Sequence, residues 1–411
     1  MAGQEPLDFD PFGTGFVTDP YPFLGKLREE RAVQLVRQPN NMHRYVVLRW
    51  AEGRRMLTDK RLSADPEVGR AELEKAGYLK PGQSSGLASA SLLTTDPPVH
   101  TRLRRLLSTA FDPHRPDWMR PVIERTVAGV IDEMRAGDEV VDLVGGFAHP
   151  VTIRTLCGIL GISEQDSVPF TGWINGVMTP RHRPNANAIR QAADRSVREF
   201  LTELIATRRP GADDLTSRLV ERWRQDPEQI SAEELTNMLY ELILAGYLTT
   251  AGLIVNGVLA MLDHPAQWQL WRSEPELRPA AVDELLRYDG PAFSGSLRFA
   301  AEDLVIDGVD IPRGSLVSVM FAAANRDPSA FGDPDRLDLR RPNANTHLGF
   351  SHGIHLCWGA PIARLETWLA VGALADAFSS VELAADPSAI TWGSVGNSRS
   401  PVALPVRCRP S

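Results

Sequence analysis

The sequence is poor in cysteine, and its charge balance is negative. Its 411 residues contain three cysteines, Cys157, Cys357 and Cys408, whose odd number and wide spacing indicate no disulfide framework. We therefore expect a reducing, cytoplasmic location. The formal net charge of −8 argues against a nucleic-acid partner, because a phosphate-binding face needs an excess of Lys and Arg.

The sequence also lacks a clear targeting or membrane segment. Its first residues contain no basic region followed by an apolar stretch, so no signal peptide is expected. The segment from Met238 to Leu262 is long enough to cross a membrane, but Glu241 and Asn256 interrupt it and no Lys or Arg closely flanks its ends. A helix that is apolar on all sides is also what the centre of a large globular protein requires. The sequence therefore predicts a buried helix and no membrane span.

The hydrophobic pattern predicts one domain over residues 1–411 that is mainly α-helical with a minor antiparallel β part. The chain reads mostly helical from residue 96 to residue 286. Short strands are predicted at 44–50 and after residue 299, where Asp-Gly and Arg-Gly pairs mark turns. The last residues are expected to be extended.

Three helix starts carry recognisable signals. Ser231 followed by Glu234 forms a capping box immediately before the long apolar segment. Asp96 followed by Pro97 predicts an N-cap and a first-turn proline for an earlier helix. A third long helix is predicted to begin between residues 359 and 361.

The stretch FSHGIHLCWGAPIARLE, residues 350–366, is the most informative part of the sequence. The reactive and metal-binding form of cysteine is the thiolate, and the pKa of the thiol falls at a helix N-terminus, where Cys357 is predicted to lie. Gly353 and Gly359 bracket Cys357 and allow tight turns and the close approach of a flat cofactor.

Two other interpretations of Cys357 are considered. A buried free cysteine is the commonest state of this residue type. A zinc site is the second alternative, because His347, His352 and His355 lie nearby in the sequence. Their spacing fits no paired-cysteine zinc pattern, and neither alternative explains the two bracketing glycines.

Five residues at set spacing resemble the haem-binding loop of the cytochrome P-450 family, F-x-x-G-x-H-x-C-x-G. They are Phe350, Gly353, His355, Cys357 and Gly359. Ser351 stands where relatives often have glycine. The resemblance implies that Cys357 is the thiolate ligand of the iron of haem b, a ligand that favours cleavage of the O–O bond. It also implies the fold of that family, with the haem buried between the helix at 231–262 and the Cys357 loop.

The resemblance implies further haem contacts. The run DPPVHTRLRR is similar to the family's first haem-contacting helix, in which His100 and Arg104 are i,i+4 neighbours on one face. Charge-assisted bonds from these side chains suit a pair of propionates. Arg298 and His355 complete the propionate ligands that the resemblance implies. A solvated basic face is the alternative for the arginines of this helix.

A structural ion pair is also implied by the resemblance. Glu284 and Arg287 match the family's E-x-x-R pair and share a helix face at i,i+3. The family adds a later arginine to this pair. Arg341 is the better candidate by spacing, and the adjacent Arg340 is the alternative.

The family's central helix carries A-G-x-[D/E]-T-T, and this chain has AGYLTT at residues 245–250. By resemblance, Ala245 and Gly246 leave room for dioxygen and Thr249 takes part in catalysis. Thr249 can bond the carbonyl of Ala245, which bends a helix and opens a groove. Leu248 replaces the acid that relays protons in relatives, and leucine can neither donate nor accept a proton.

Glu241 lies seven residues before Leu248, roughly 10 Å along a helix axis, so it does not simply replace the missing acid. A carboxylate in an apolar segment needs a partner or becomes protonated. We expect pairing with an arginine, and contact with a polar substrate group is the alternative. By resemblance, a pocket for a sizeable hydrophobic ligand draws on the stretches 84–93, 170–183 and 291–294 and on Glu241, Leu248, Ala292, Phe293 and Val395.

The family resemblance implies a monooxygenase that inserts one oxygen atom of dioxygen into a C–H or C=C bond of a hydrophobic small molecule. Electrons are expected from NAD(P)H through a separate ferredoxin and ferredoxin reductase, because the chain shows no flavin or iron–sulfur pattern. A monomer is expected. The chain has four lysines against many arginines, which resembles actinomycete proteins, where such enzymes often modify polyketides, peptides or terpenes.

Three other functions are weighed. Oxidation without net oxygen insertion, such as phenolic coupling, is prompted by Leu248. A haem-less helper of a partner enzyme is disfavoured because such relatives lack the cysteine that Cys357 supplies. A haem-based gas sensor or carrier is the third alternative.

Overall fold

The computed structural model describes residues 5–80, 91–110, 118–180, 183–209 and 211–410. Helices dominate this part of the chain, as the sequence predicts. The fifteen α-helices of the described ranges are α1 Thr14–Thr18, α2 Tyr21–Glu30, α3 Trp50–Met56, α4 Arg70–Lys75, α5 Val99–Ala110, α6 Arg120–Ala136, α7 His149–Leu160, α8 Glu164–Val177, α9 Ala186–Thr207, α10 Leu215–Gln225, α11 Ala232–Leu262, α12 Pro265–Ser273, α13 Arg278–Asp289, α14 Phe321–Ala324 and α15 Ala360–Ala377.

The β part is minor and is divided among four small sheets in the described residues. The thirteen strands are β1 Leu7–Asp8, β2 Val33–Arg37, β3 His43–Val47, β4 Leu62–Ser63, β5 Val140–Asp142, β6 Arg298–Ala300, β7 Leu304–Ile306, β8 Val309–Ile311, β9 Leu316–Val319, β10 Phe378–Leu383, β11 Trp392–Val395, β12 Ser398–Pro401 and β13 Pro405–Pro410. The largest sheet has the order β1-β2-β3-β9-β6-β4. Its β1–β2 and β3–β9 pairs are parallel, whereas the other pairs of the four sheets are antiparallel.

The long apolar segment forms α11, and its predicted capping box is present. The Ser231 hydroxyl accepts the Glu234 N–H at 3.1 Å, and the Glu234 carboxylate accepts the Ser231 N–H at 2.8 Å. α11 is long and apolar enough to cross a membrane, but 67% of its most apolar window is buried inside the protein. The helix packs against α7, α9, α13 and α15, so it occupies the centre of the helical core.

The predicted role of Asp96 as an N-cap is wrong. The helix that follows begins at Val99, after a cis Pro97–Pro98 bond. The Asp96 carboxylate instead accepts the Ser63 hydroxyl at 2.5 Å and the Ala64 N–H at 3.0 Å. Asp96 therefore ties the start of α5 to the end of β4, a long-range contact that local sequence does not reveal.

A buried ion-pair network holds α13 to the segment that precedes the Cys357 loop. Arg287 donates to the two oxygens of the Glu284 carboxylate at 2.6 and 2.9 Å, and both side chains are 0% exposed. Arg341 adds a contact at 3.1 Å to the same carboxylate. Arg340 pairs with Glu274 instead, so the structure places the expected third member at Arg341.

Arg287 also fixes the course of the neighbouring chain. Its guanidinium donates to three backbone carbonyls, at 3.0, 2.8 and 3.2 Å, which belong to Asn325, Pro334 and Arg336. The Glu284 carboxylate accepts the backbone N–H of Asp338 at 2.9 Å. One pair of side chains thus organises residues 325–341.

Substitution Arg287→Ala is expected to lower the free energy of unfolding by about 3–5 kcal/mol, because it leaves a buried carboxylate without its main partner. Urea denaturation followed by circular dichroism measures this change. Arg340→Ala is the matched control, and its half-exposed pair with Glu274 predicts a change below about 1 kcal/mol. Equal losses in the two variants would contradict the structural role of the buried network.

Candidate functional site

The loop before α15 is closed by backbone hydrogen bonds. The Cys357 N–H donates to the carbonyl of Phe350 at 2.8 Å, so the five-residue motif forms one compact turn. Gly353 has φ +74, and a Cβ there would lie 2.7 Å from the carbonyl oxygen of Leu57. Ser351 also has a left-handed backbone, with φ +64, which explains why glycine suits this position.

The surroundings of the Cys357 thiol have opposite effects on its pKa. The residue is exposed, but the protein packed around its sulfur desolvates the thiolate, and this desolvation is the largest cause of a raised pKa. Backbone hydrogen bonds from Gly359 and Ala360 and the charges of Arg104 and Arg364 lower the pKa of the thiol. The start of the helix does lower the pKa of the Cys357 thiol, but burial raises this pKa by more. The expected net lowering of the pKa is therefore wrong.

Three basic side chains from separate elements converge beside this loop. The rings of His100, on α5, and His355, in the loop, lie 4.3 Å apart between centroids. Arg298, on β6, is 6% exposed. Burial first, then the charges of Arg298 and His100, lower the pKa of His355 to about 3. A concentration of donors this close is electrostatically unfavourable unless an anion lies against it.

These basic side chains fit the carboxylates of a haem. The Nε2 atoms of His100 and His355 are buried and lack a hydrogen-bond partner within the described ranges. Buried polar atoms are normally hydrogen-bonded, and two propionates are suitable acceptors for such donors. Burial first, and then the charge of Arg104, lower the pKa of His100. Arg104 also donates to the Leu356 carbonyl at 2.6 Å, so it links the α5 donors to the Cys357 loop.

The central turn of α11 has the local geometry that its sequence predicts. The Thr249 hydroxyl donates to the carbonyl of Ala245. Ala245 is exposed although it lies in the middle of the core helix, so this turn borders an open space. Gly246 has a packing role, because a Cβ there would lie 3.2 Å from Leu156 on α7. Leu248 is half-buried and packs against the main core.

Glu241 does not pair with an arginine, so the favoured expectation is wrong. Its carboxylate accepts the Ser91 hydroxyl at 2.7 Å and the backbone N–H groups of Leu92 and Leu93 at 2.9 and 3.0 Å. Desolvation raises the pKa of Glu241, and the three hydrogen bonds oppose that rise. Because the Leu92 backbone also hydrogen-bonds His355, one short segment joins α11 to the cluster of basic residues.

The expected pocket residues differ in their burial and in their neighbours. Phe293 is 3% exposed and packs edge-on against Phe16, at 5.6 Å between centroids. Its ring therefore belongs to a small hydrophobic core with Phe9 and Leu24. Ala292 and Val395 are half-buried, and each pairs with Ser398. The expected pocket positions 84–90, 181 and 182 lie outside the described residues.

The structure does not support the zinc alternative. His347 bonds the Asp283 carboxylate through Nε2 at 3.0 Å and accepts the Gly349 N–H at Nδ1, also at 3.0 Å. In the part of the chain that the structure describes, no group of three His, Cys, Asp or Glu side chains could hold a metal ion. His347 has a structural role beside the ion-pair network.

Two structural features, one beside the basic cluster and one on α15, were not predicted from the sequence. The first is the backbone of Leu92, which has no sequence signal because any residue supplies it. The second is Glu366, a buried acid on α15. An acidic residue within the apolar stretch that follows Cys357 could have indicated this buried acid.

Comparisons with known proteins agree with this geometry. A model of the cytochrome P-450 family matches residues 165–391. The chain is similar to the monooxygenase PikC of Streptomyces venezuelae, with 36% identity over 99% of this chain and 95% of that protein. It is 34% identical to the polyketide-biosynthesis protein PksS of Bacillus subtilis, over 95% of this chain and 96% of that protein.

Solved structures show the same fold. The structure of PksS superimposes with a TM-score of 0.88 and 32% identity, over 98% of this chain and 100% of that chain. The structure of CxnD, an enzyme for C–S bond formation in chuangxinmycin biosynthesis, gives a TM-score of 0.84 and 34% identity with full coverage of both chains, 100% each. The expected fold is thereby confirmed.

Substitution Glu241→Ala is expected to loosen the segment around Leu92. It removes the acceptor of one hydroxyl and two amides, at a cost of about 1–3 kcal/mol. Amide hydrogen exchange at Leu92 and Leu93 should therefore accelerate by roughly 10- to 100-fold. Glu233→Ala, at an exposed position of the same helix, should leave this exchange unchanged, and unchanged exchange in both variants would refute the contact.

Proposed function

This chain belongs to the cytochrome P-450 family, and on that premise we propose that it is a haem-thiolate monooxygenase. It inserts one oxygen atom of dioxygen into a C–H or C=C bond of a medium-to-large hydrophobic molecule. The observation that carries the proposal is the convergence of His100, Arg298 and His355, from three separate elements, beside the closed Cys357 loop. That arrangement suits a group with one metal position and two carboxylates.

Each side chain has a distinct task in this proposal. Cys357 supplies the thiolate ligand of the iron. The propionates are bound by His100, Arg104, Arg298 and His355. A bound haem thiolate supplies the one-electron and dioxygen chemistry that the amino-acid side chains lack. The Thr249 hydroxyl, already held against the Ala245 carbonyl, positions a proton at its Oγ1 on the open side of α11.

The overall reaction requires electrons and protons from outside the substrate. R–H, dioxygen, two electrons and two protons give R–OH and water. The electrons come from NAD(P)H through a ferredoxin and its reductase. Ile354 and Leu356 are 53% and 46% exposed beside Cys357, and large exposed apolar side chains of this kind suit protein docking. The enzyme acts as a cytoplasmic monomer.

The substrate class is inferred from the relatives. PksS is described as a polyketide-biosynthesis protein, and CxnD acts in chuangxinmycin biosynthesis. We infer that this chain tailors a secondary metabolite such as a polyketide, peptide or terpene. The small and apolar residues expected around the site, Ala245 and Leu248 among them, favour a hydrophobic ligand.

Oxidation without net oxygen insertion is the second candidate. Leu248 places an apolar side chain where the family pattern A-G-x-[D/E]-T-T has an acid, and CxnD, at 34% identity, is an enzyme for C–S bond formation. Such a reaction ends in a bond between two substrate atoms and converts both oxygen atoms of dioxygen to water, with two of the hydrogen atoms supplied by the substrate. Mass spectrometry of products made under labelled dioxygen separates the candidates, because a product set containing only inserted oxygen excludes the second.

The haem assignment is tested with the purified holoenzyme. The ferrous–carbon monoxide complex should show the absorption band of thiolate-ligated haem, and Cys357→Ala should lose this band. The matched control Cys157→Ala removes a buried cysteine of α7 and should keep the band. A band typical of histidine ligation would favour a sensor or carrier, and no bound haem would favour a helper protein.

Type I spectral shifts with a compound library then identify ligands. Turnover is tested with surrogate redox partners.

Restoring an acid at position 248 tests the proton supply. Leu248→Glu should raise the fraction of electrons recovered in product, because a carboxyl can pass protons and leucine cannot. Leu248→Gln is the matched control of equal size without a titratable proton. No gain with glutamate, or an equal gain with glutamine, would show that proton delivery does not limit the enzyme.

A further inference from the structure

Asp283 adjoins Glu284 on α13 but binds different partners. It is 8% exposed, and its Oδ1 atom accepts two hydrogen bonds, from Nε2 of His347 at 3.0 Å and from Nε of Arg364 at 2.8 Å. Burial raises the pKa of Asp283, but the hydrogen bond from His347 and the charge of Arg364 lower it by more. Asp283 is therefore an anion at neutral pH, held between the segment before the Cys357 loop and α15.

His347 connects Asp283 to the backbone of the Cys357 loop. Its Nδ1 atom accepts the Gly349 N–H at 3.0 Å, so the proton of the neutral ring lies on Nε2 and is donated to Asp283. Gly349 immediately precedes Phe350, whose carbonyl accepts the Cys357 N–H at 2.8 Å. Three hydrogen bonds and one peptide link therefore join the Asp283 carboxylate to the backbone of the cysteine.

Arg364 brings a positive charge to the same loop. Its guanidinium carbon lies 4.6 Å from the centroid of the Phe350 ring. Burial raises the pKa of the Cys357 thiol, and the charge of Arg364 opposes that rise, so this charge acts on the sulfur. A cation and an anion in contact largely cancel each other at longer distances. The Asp283 carboxylate therefore limits how much of the Arg364 charge reaches the sulfur.

The start of the loop is held close to Asp283. A Cβ at Gly349 would lie 2.9 Å from Leu286 of α13, so this part of the loop packs directly against the helix. The Leu348 N–H donates to the Asn325 side chain at 2.7 Å, which fixes the preceding residue. Close packing of this kind leaves little room for the loop to move away from α13.

We propose that Asp283 is a positioning residue that keeps the reduction potential of the haem iron low: it offsets the charge of Arg364 beside the Cys357 loop and, through His347, holds the start of that loop. This inference rests on the proposed function. Groups outside the ligand itself are known to tune a bound metal in this way.

The sign of the effect follows from the charges. Reduction of the ferric iron takes one electron from ferredoxin, which is oxidised, and adds one negative charge beside Cys357. A neighbouring positive charge favours the reduced state and a neighbouring negative charge opposes it. Loss of the Asp283 charge should therefore raise the potential, and loss of the Arg364 charge should lower it.

The test measures the reduction potential of the purified holoenzyme by spectroelectrochemical titration with dithionite and mediator dyes, so that no ferredoxin is needed. In Asp283→Asn, which keeps the shape and an acceptor for His347, the equilibrium constant for one-electron reduction should rise roughly tenfold. That gain corresponds to a shift of about 59 mV for a one-electron couple. Glu276→Gln, which removes an exposed charge just before α13, is the matched control and should leave the potential unchanged.

Three further variants separate charge from packing. Arg364→Gln should lower the potential, and the double variant Asp283→Asn with Arg364→Gln should return it close to the native value, because the two lost charges cancel. Damage to the loop would not cancel in this way. Asp283→Ala also removes the acceptor of His347, so it should in addition reduce the fraction of protein that shows the thiolate-type carbon monoxide band.

The outcomes are separable from those of the proposed function. Absence of the thiolate-type carbon monoxide band in the native protein refutes the haem-thiolate function, independently of Asp283. With that band present, a native potential in Asp283→Asn overturns the inference, and so do shifts of the same sign in Asp283→Asn and Arg364→Gln. If Asp283→Asn binds no haem, Arg364→Gln decides, because a potential that does not fall contradicts the role of this charge pair. An undiminished band in Asp283→Ala contradicts the part assigned to His347.

Discussion

The carboxylate of Glu284 is the interaction on which the candidate site depends. A charge with 0% exposure is tolerated only because Arg287 and Arg341 neutralise it. In return, the pair of Glu284 and Arg287 fixes the backbone between residues 325 and 341, which leads into the Cys357 loop. The ion pair thus orders the segment that leads to Cys357 without contacting that residue.

The site itself is assembled from elements that are distant in sequence. His100 comes from α5, Arg298 from β6 and His355 from the loop, and the backbone of Leu92 connects His355 to Glu241 on α11. Each of these groups is costly to bury alone. Their mutual arrangement means that binding of one dianionic, flat group satisfies several elements simultaneously, which couples cofactor binding to the stability of the fold.

The sequence was sufficient where a feature depends on neighbouring residues. The capping box at Ser231, the Thr249–Ala245 hydrogen bond and the closed turn around Cys357 are all set by spacing within one segment. The sequence was insufficient where a polar side chain binds residues that are distant in the sequence. Asp96 binds Ser63 and Ala64, and Glu241 binds a backbone segment 148 to 150 residues away. The local hydrophobic periodicity contains no information about such distant hydrogen-bond partners.

Asn256 anchors the second half of α11 to different elements from those that hold the first half. Its side-chain amide donates to the carbonyls of Asp289 and Arg399, at 3.1 and 3.2 Å, and so fastens the second half of the helix to α13 and β12. The first half is less buried and is held through Glu241 to the segment around Leu92. The two halves of α11 are therefore anchored to different parts of the protein, and the turn in which the Thr249 hydroxyl bonds the Ala245 carbonyl lies between the two anchors.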